Sequence, residues 1–248
     1  MISTIFHTIL YQPLLNALVF ITSFVPGADI GIAVIVLTLI VKFILLPLTH
    51  KQITTQRKMK LVEKDLKGIR EKHKDNKEEQ TKQMLALYKE HGINPFAGFA
   101  LILIQIPILL ALFWVFTDGI PFKTEVLYSF VHLPANINSL FLGFLDLSAK
   151  SVWLALIVGA SQYFQITLSL PPAPKHNPAD GKPSFSDELG RSMSTNMRYV
   201  MPVFVAVISM GFPAVVALYW LTSNLFQIAH ELVVRHKAKQ LVTAPLTQ

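Results

Sequence analysis

The sequence predicts an all-α integral membrane protein with five transmembrane helices, an N-terminal interfacial amphipathic helix and a cytoplasmic helical hairpin. Three observations carry that expectation. Of 248 residues, 52% are hydrophobic and 15% charged, whereas a soluble domain carries about 25% charged residues. The charges are gathered into short blocks, leaving long stretches without Lys, Arg, Asp or Glu. Those stretches approach the ~20 apolar residues a helix needs to cross a hydrocarbon core about 30 Å thick.

Residues 10–27 come first. Gln12, Asn16 and Ser23 fall near one helical face, while Leu14, Leu15, Leu18, Ile21 and Val25 lie largely on the other. That division predicts an amphipathic helix lying in the membrane interface; a sixth span is the rival reading. The first 28 residues contain no Lys or Arg, so no signal peptide with a basic n-region is expected.

The first span is read over residues 30–49, interrupted by Lys42. The second covers 95–117 and opens on Asn94-Pro95, proline being well placed at a first helical position. The third covers 151–170 and stops at Pro171-Pro172. Residues 197–211 and 213–231 are the fourth and fifth, separated by a turn at Gly211-Phe212-Pro213. At about 15 and 19 residues these last two would reach only ~22 and ~28 Å, both short for the hydrocarbon core.

Between the first two spans, residues 50–93 hold twelve Lys/Arg and seven Asp/Glu. Ile53, Met59, Leu61, Val62, Leu66 and Ile69 recur at helical spacing, as do Met84, Leu85, Leu87 and Tyr88, with 74–77 as a turn. This predicts a helical hairpin, too polar for lipid and too sparsely apolar for a separate globular domain. Residues 118–150 form the extracytoplasmic loop. Residues 171–196, with five prolines, read as a flexible cytoplasmic linker, and 232–248 as a cytoplasmic tail.

Charge counting sets the orientation. Residues 50–93, 171–198 and the tail after 231 hold twelve, four and three Lys/Arg, while residues 1–29 and 118–150 together hold two. The positive-inside rule puts the hairpin, the linker and the C-terminus in the cytoplasm and the N-terminus outside. The net charge of +7 is thereby explained by loops flanking spans, and no nucleic-acid partner is needed.

Within the spans, Lys42 is the charge placed well inside. A Lys near the middle of a spanning helix costs about 2.5–3.5 kcal/mol on insertion scales. It either snorkels to the nearby cytoplasmic interface or faces a hydrated cavity. Thr38 and Thr49, at i−4 and i+7, extend a polar face through Lys42 and favour the cavity. Polar residues in the other spans could line it: Gln105 in the second, Ser161, Gln162 and Gln165 in the third, and Tyr219, Trp220, Ser223 and Asn224 in the fifth. No Asp or Glu lies well inside any span, so the sequence supplies no carboxylate at the depth of Lys42. The site it predicts is electropositive and suited to a transient anionic or polar guest.

Other chemistries find little support. Ion-coupled transporters usually carry intramembrane carboxylates, and the spans do not resemble one another as inverted repeats would. There is no cysteine, which excludes disulfides, thiolate metal sites and a catalytic Cys. His230-Glu231 lacks a further His at zincin spacing and no Gly-x-Ser-x-Gly occurs. No enzyme, cofactor or metal site is expected.

Three stretches resemble the YidC–Oxa–Alb family of membrane-protein insertases. They are residues 40–49 (IVKFILLPLT), residues 84–89 with Asn94-Pro95 and 103–108 (LIQIPI), and residues 212–220 (FPAVVALYW) running into Ser223-Asn224-Leu225. The similarity extends from about residue 10 to 236. It implies a hydrophilic groove open to the cytoplasm and to lipid and closed toward the outside, in a multi-pass protein of the bacterial cytoplasmic (inner) membrane. The implied activity is insertion and folding of nascent membrane proteins. The implied partners are those clients and membrane lipids, with the ribosome and the Sec translocon as further candidates. Bacterial members usually place Arg where Lys42 stands; Arg offers a planar five-donor fork and Lys a point charge, so bidentate carboxylate recognition is not implied here. With 29 residues before the first span, the large extracytoplasmic domain of some bacterial members is not expected. The competing reading is a small-solute transporter or channel with a polar intramembrane cavity.

Overall fold

The computed structural model describes residues 4, 6–94, 97–117, 124–170, 192 and 195–243. Helices dominate, in the order α1 (Gln12–Phe24), α2 (Ile30–Ile44), α3 (Leu46–Leu61), α4 (Glu63–Lys72), α5 (Lys77–Glu90), α6 (Ala97–Thr117), α7 (Val152–Ser169), α8 (Met201–Gly211) and α9 (Ala214–Thr243). A π-helical turn, Asn196–Val200, leads into α8. The chain divides into two compact units, Met1–Ile44 with Ile106–Gln248, and Leu45–Gln105.

In the first unit α1 packs on α2, α2 on α9, and α9 on α7, which also holds α8. Leu15, Leu18 and Val19 of α1 and Ile30, Ala33, Val34 and Leu37 of α2 are buried. At Gly159 α7 and α8 are in close contact: a Cβ there would stand 2.8 Å from Ala206 Cβ and 3.1 Å from the Pro202 carbonyl. Backbones brought this close by small residues are the usual way helices associate in lipid, where no hydrophobic drive exists between them. Elsewhere Phe43, Ile44, Leu156, Phe164, Val203, Phe204, Val207 and Leu225 are exposed. So many large apolar side chains exposed on several helices suit contact with lipid better than with water. Among the described residues one helix, Val152–Ser169, is by itself long and apolar enough to cross a membrane; Ile106–Phe116 and Asn196–Gly211 are shorter apolar helices.

Several boundaries differ from the sequence expectation. The first span was expected to run to residue 49, but α2 ends at Ile44 and the chain turns at Leu45 (φ −82°, ψ −4°) before α3. Pro47, at the start of α3, has no N–H to give the Phe43 carbonyl and its ring crowds that carbonyl, which favours a bend here. The helix of the fifth span, expected to stop at 231 before a separate tail, continues without a break to Thr243. Its charged continuation retains helix because Glu, Arg, Lys and Gln propagate helices nearly as well as Leu.

The 10–27 segment also departs from expectation on its polar side. Asn16 is buried, donating from Nδ2 to the Val126 carbonyl at 3.0 Å and accepting from Tyr128 N at 2.6 Å, while Gln12 Nε2 also donates to the Val126 carbonyl at 3.2 Å. Gln12 and Asn16 therefore satisfy a loop of the protein rather than water, while Ser23 is exposed and its hydroxyl donates to the Phe20 carbonyl. Other exposed residues of α1 include Phe20 and Phe24.

Residues 124–150 hold the only strands among the described residues, β1 (Leu140–Phe141) and β2 (Leu145–Asp146), antiparallel with Phe141 opposite Leu145. The all-helical expectation did not include them. Asp29 fastens this loop to α2. Its Oδ1 accepts from Gly31 N at 2.8 Å and Ile32 N at 3.2 Å, a standard N-cap role, while Oδ2 accepts from Leu142 N at 2.8 Å. The same loop caps α9, whose first N–H groups at Ala214 and Val215 donate to the Ala149 and Leu147 carbonyls at 2.8 and 3.1 Å.

Where the sequence predicted a two-helix hairpin over 50–93, the second unit holds three helices, α3 to α5. α3 and α4 part at Val62 (φ −90°, ψ 7°), and α5 returns after a turn. Asn76 caps α5 by accepting from Glu79 N. Gln83 Nε2 donates to Glu79 at 2.7 Å, and this bond holds the exposed Glu79 carboxyl below its ordinary pKa. Against expectation the unit has a small core of its own, Val62, Leu66, Tyr88 and Ile93, flanked by Met59, Met84 and Leu87. Leu61 and Leu85, read as part of the apolar stripe, are exposed instead.

Candidate functional site

Lys42 and Thr38 sit one turn apart on α2 and both are buried, at 4% and 2% exposure. Thr38 Oγ1 donates to the Val34 carbonyl at 2.6 Å, which consumes its hydrogen and leaves an oxygen lone pair on the Lys42 face. Because α2 ends at Ile44, Lys42 lies in the last turn, beside the carbonyl end of the helix. A cation is favoured there by the helix dipole. The sequence expectation of a mid-helix charge is corrected accordingly, and so is the polar face drawn through Thr49. That residue lies beyond the break, on α3, where its hydroxyl donates to the Leu45 carbonyl at 3.0 Å.

α9 is the shared wall of the site, since it packs on α2 and on α7. Next to Lys42, the ring of Phe43 meets Phe226 of α9 edge to face at 5.3 Å. On the other side Asn224 Nδ2 of α9 donates to Ser161 Oγ of α7 at 3.0 Å, and Ser161 in turn donates to the Val158 carbonyl at 2.7 Å. Both residues are buried, as are Ser223 and Tyr219, with Trp220 half-buried. Thus α9 presents a stretch of polar groups inside an otherwise apolar bundle.

Gln162 and Gln165 are not joined to that pair. Gln162 Nε2 donates to Gln165 Oε1 at 3.2 Å, and Gln165 Nε2 to Ser169 Oγ at 3.3 Å, forming a half-buried ladder along α7 toward its C-terminus. The Gln105 side chain lies outside the described residues, as do 171–191 of the linker and the chain after 243. Among the described residues no group of three or more His, Cys, Asp or Glu could hold a metal ion.

One polar contact was not foreseen. Arg235 Nε donates to Glu231 Oε1 at 2.9 Å, and the guanidinium also donates to the Leu168 carbonyl near the end of α7. Glu231 is buried and Arg235 is more open. The Glu-to-Arg spacing of four on α9 was the available sign. It had been treated as tail charge because the helix was expected to stop at 231.

The matches to known proteins follow the same chain segment. Residues 20–241 match the family model described as 60Kd inner membrane protein. The chain is 33% identical over 232 residues to the membrane protein insertase YidC of Actinobacillus pleuropneumoniae serotype 3, covering 92% of this chain and 37% of that one. It is 33% identical over 221 residues to the membrane protein insertase YidC of Clostridium perfringens (strain 13 / Type A), covering 89% and 84%. A third relative of that name, from Haemophilus influenzae (strain PittEE), is 31% identical over 222 residues. The chain thus spans a little over a third of the first relatives' length and most of the clostridial one. By the extent of these matches, the chain belongs to the 60Kd inner membrane protein family, the family of the YidC insertases.

Proposed function

We propose that this protein is a membrane-protein insertase and chaperone of a bacterial inner membrane. The observation that carries the reading is the buried Lys42–Thr38 face of α2, set against a helix, α9, that brings Tyr219, Ser223 and Asn224 into the same bundle. Its relatives bear the name membrane protein insertase, and a wet, electropositive recess is what an acidic translocated segment needs in order to leave water by stages.

In this reading the bundle spans the membrane five times, at residues 30–49, 95–117, 151–170, 197–211 and 213–231, with the break after Ile44 and the continuation of α9 modifying those limits. The N-terminus lies outside and the C-terminus in the cytoplasm. The 45–94 helices receive a nascent chain. Lys42 attracts its short acidic tail into a groove lined by Thr38, Ser161, Gln162, Gln165, Tyr219, Trp220, Ser223 and Asn224. The client's hydrophobic segment then slides along the exposed apolar flank of α7 and partitions into lipid. Transfer of that segment, at about 25 cal/mol per Å² of apolar surface, supplies the driving force, with the membrane potential acting on its charges. No catalysis is invoked. Nascent clients and lipids are the partners; the ribosome and the Sec translocon are candidates through the basic hairpin and Arg235.

The test is reconstitution of the purified protein in liposomes with a single-span client. Protease protection of the client's tail, above that in empty liposomes, is the expected result. Solute flux without client insertion would instead identify a transporter or channel.

A further inference from the structure

Between β1 and β2 the chain turns through Leu142 and Gly143, both at positive φ (+52° and +80°). Paired positive φ marks the primed turns of tight hairpins, where Asn-Gly is the strongly preferred sequence. Leucine is disfavoured in the left-handed region, because its Cβ crowds the following carbonyl. Asp29 holds the turn in this conformation through its bond to Leu142 N. The strained turn carries an exposed apolar tip, Leu142 at 60% and Phe144 at 74% exposure, and residues 139–145 include no charge. Phe130, in the same loop, is 70% exposed.

The position of this tip is fixed by its bonds. Ile30 N donates to the Asn138 carbonyl, and Ala214 and Val215 donate to Ala149 and Leu147. The hairpin is therefore level with the N-terminal ends of α2 and α9, and α7 begins three residues after Ala149. At that start Val152 and Trp153 are exposed, followed by Leu156 and Ile157. An aromatic residue at the end of an apolar helix is the usual marker of the lipid–water interface. The exposed apolar tip thus continues the lipid-facing surface of α7 at its outer limit.

We infer that the 140–145 hairpin is a membrane-dipping wedge, with Phe144 and Leu142 entering the headgroup and acyl boundary of the leaflet at the N-terminal ends of α2, α7 and α9. The occupant of this apolar tip is the bilayer itself. Asp29 positions the wedge and so couples α2, which carries Lys42, to the lipid on that side. This inference rests on α7 spanning the membrane, but neither on which side is cytoplasmic nor on the client reading.

The chain has no cysteine, so a nitroxide can be placed singly in the full protein in phosphatidylethanolamine/phosphatidylglycerol vesicles. Phe144→Cys is compared with Ser148→Cys, an exposed neighbour, and with Leu156→Cys on α7. The expected result is that the Phe144 label, like the Leu156 label, favours dissolved oxygen over a water-soluble nickel chelate by about threefold or more relative to the Ser148 label. Equal nickel access at 144 and 148 would overturn the wedge. Shielding of 144 from both reagents would overturn it too, by showing a protein cover. Nickel access at 156 would remove the spanning reading of α7 beneath it. Leu142→Cys, at the same exposed tip, supplies a second probe should the 144 variant be unstable, with the same two outcomes.

Discussion

Asn224 and Ser161 share one hydrogen bond, 3.0 Å from Nδ2 to Oγ, between two buried side chains on different helices. It ties α9 to α7 at the depth where both carry polar groups. In hydrocarbon such a bond is worth on average about 0.6 kcal/mol and at most about 1.7. Replacing Asn224 by Leu should therefore lower stability by no more than ~2 kcal/mol in a detergent or bicelle unfolding titration. On the insertase reading, client insertion should fall further than that loss explains, because the proposed groove also loses a polar group.

Lys42 allows the sharpest test of the electrostatic reading. Lys42→Arg should keep insertion activity, since charge and reach are similar even though the fork differs. Lys42→Ala should slow clients with acidic translocated tails and spare neutral ones. Lys42→Glu should abolish insertion of acidic clients. Comparison of acidic and neutral clients in proteoliposomes checks all three, and equal insertion by the Glu variant at normal protein levels would dismiss a role for charge.

Gly159 predicts a packing defect. A side chain at this position meets Ala206 Cβ at 2.8 Å and the Pro202 backbone carbonyl at 3.1 Å, and backbone cannot swing aside. Gly159→Val should destabilise the α7–α8 contact by about 1–3 kcal/mol, the usual range for overpacking. Gly211→Ala, where nothing lies within 4 Å of the added carbon, should leave the melting temperature nearly unchanged. The pair of variants separates packing from any general sensitivity to glycine loss.

Asp29→Ala should cost about 0.5–2 kcal/mol, the range for a lost N-cap, and should free the hairpin as well. Limited proteolysis is the measurement: cleavage within 139–146 should accelerate relative to cleavage in α3–α5. Asp29→Asn keeps one acceptor oxygen and should retain the cap while weakening the tie to Leu142.

Much of the helical order was legible because apolar runs of fixed length and the blocks of Lys and Arg between them are local signals. The hairpin helices were visible in the spacing of Val62, Leu66, Met84 and Tyr88, whereas the break at Leu45 was missed, the first span having been read through Pro47 to residue 49. Other features depend on partners far along the chain. Asn16 was read as facing the interface because its partners, Val126 and Tyr128, are more than 100 residues away. The β-hairpin gave no alternating pattern and puts Leu142 where turn chemistry would put Asn. At the candidate site, Thr38, Lys42, Ser161 and Asn224 were legible as polar residues in apolar context, and their burial agrees with that. The bond between Ser161 and Asn224, and the absence of one from Gln162 to either, required three dimensions.

The length of α9 has a mechanical consequence. Thirty residues without a break make a rod of about 45 Å, half again the thickness of the hydrocarbon core. Its first turn is pinned by the Leu147 and Ala149 carbonyls, and the guanidinium of Arg235 fastens it to the end of α7. Asn224 and Phe226 lie between these two fixings, so the stretch that carries them cannot tilt without breaking one of them. On the insertase reading, the proposed groove therefore keeps its α9 side in place while clients come and go.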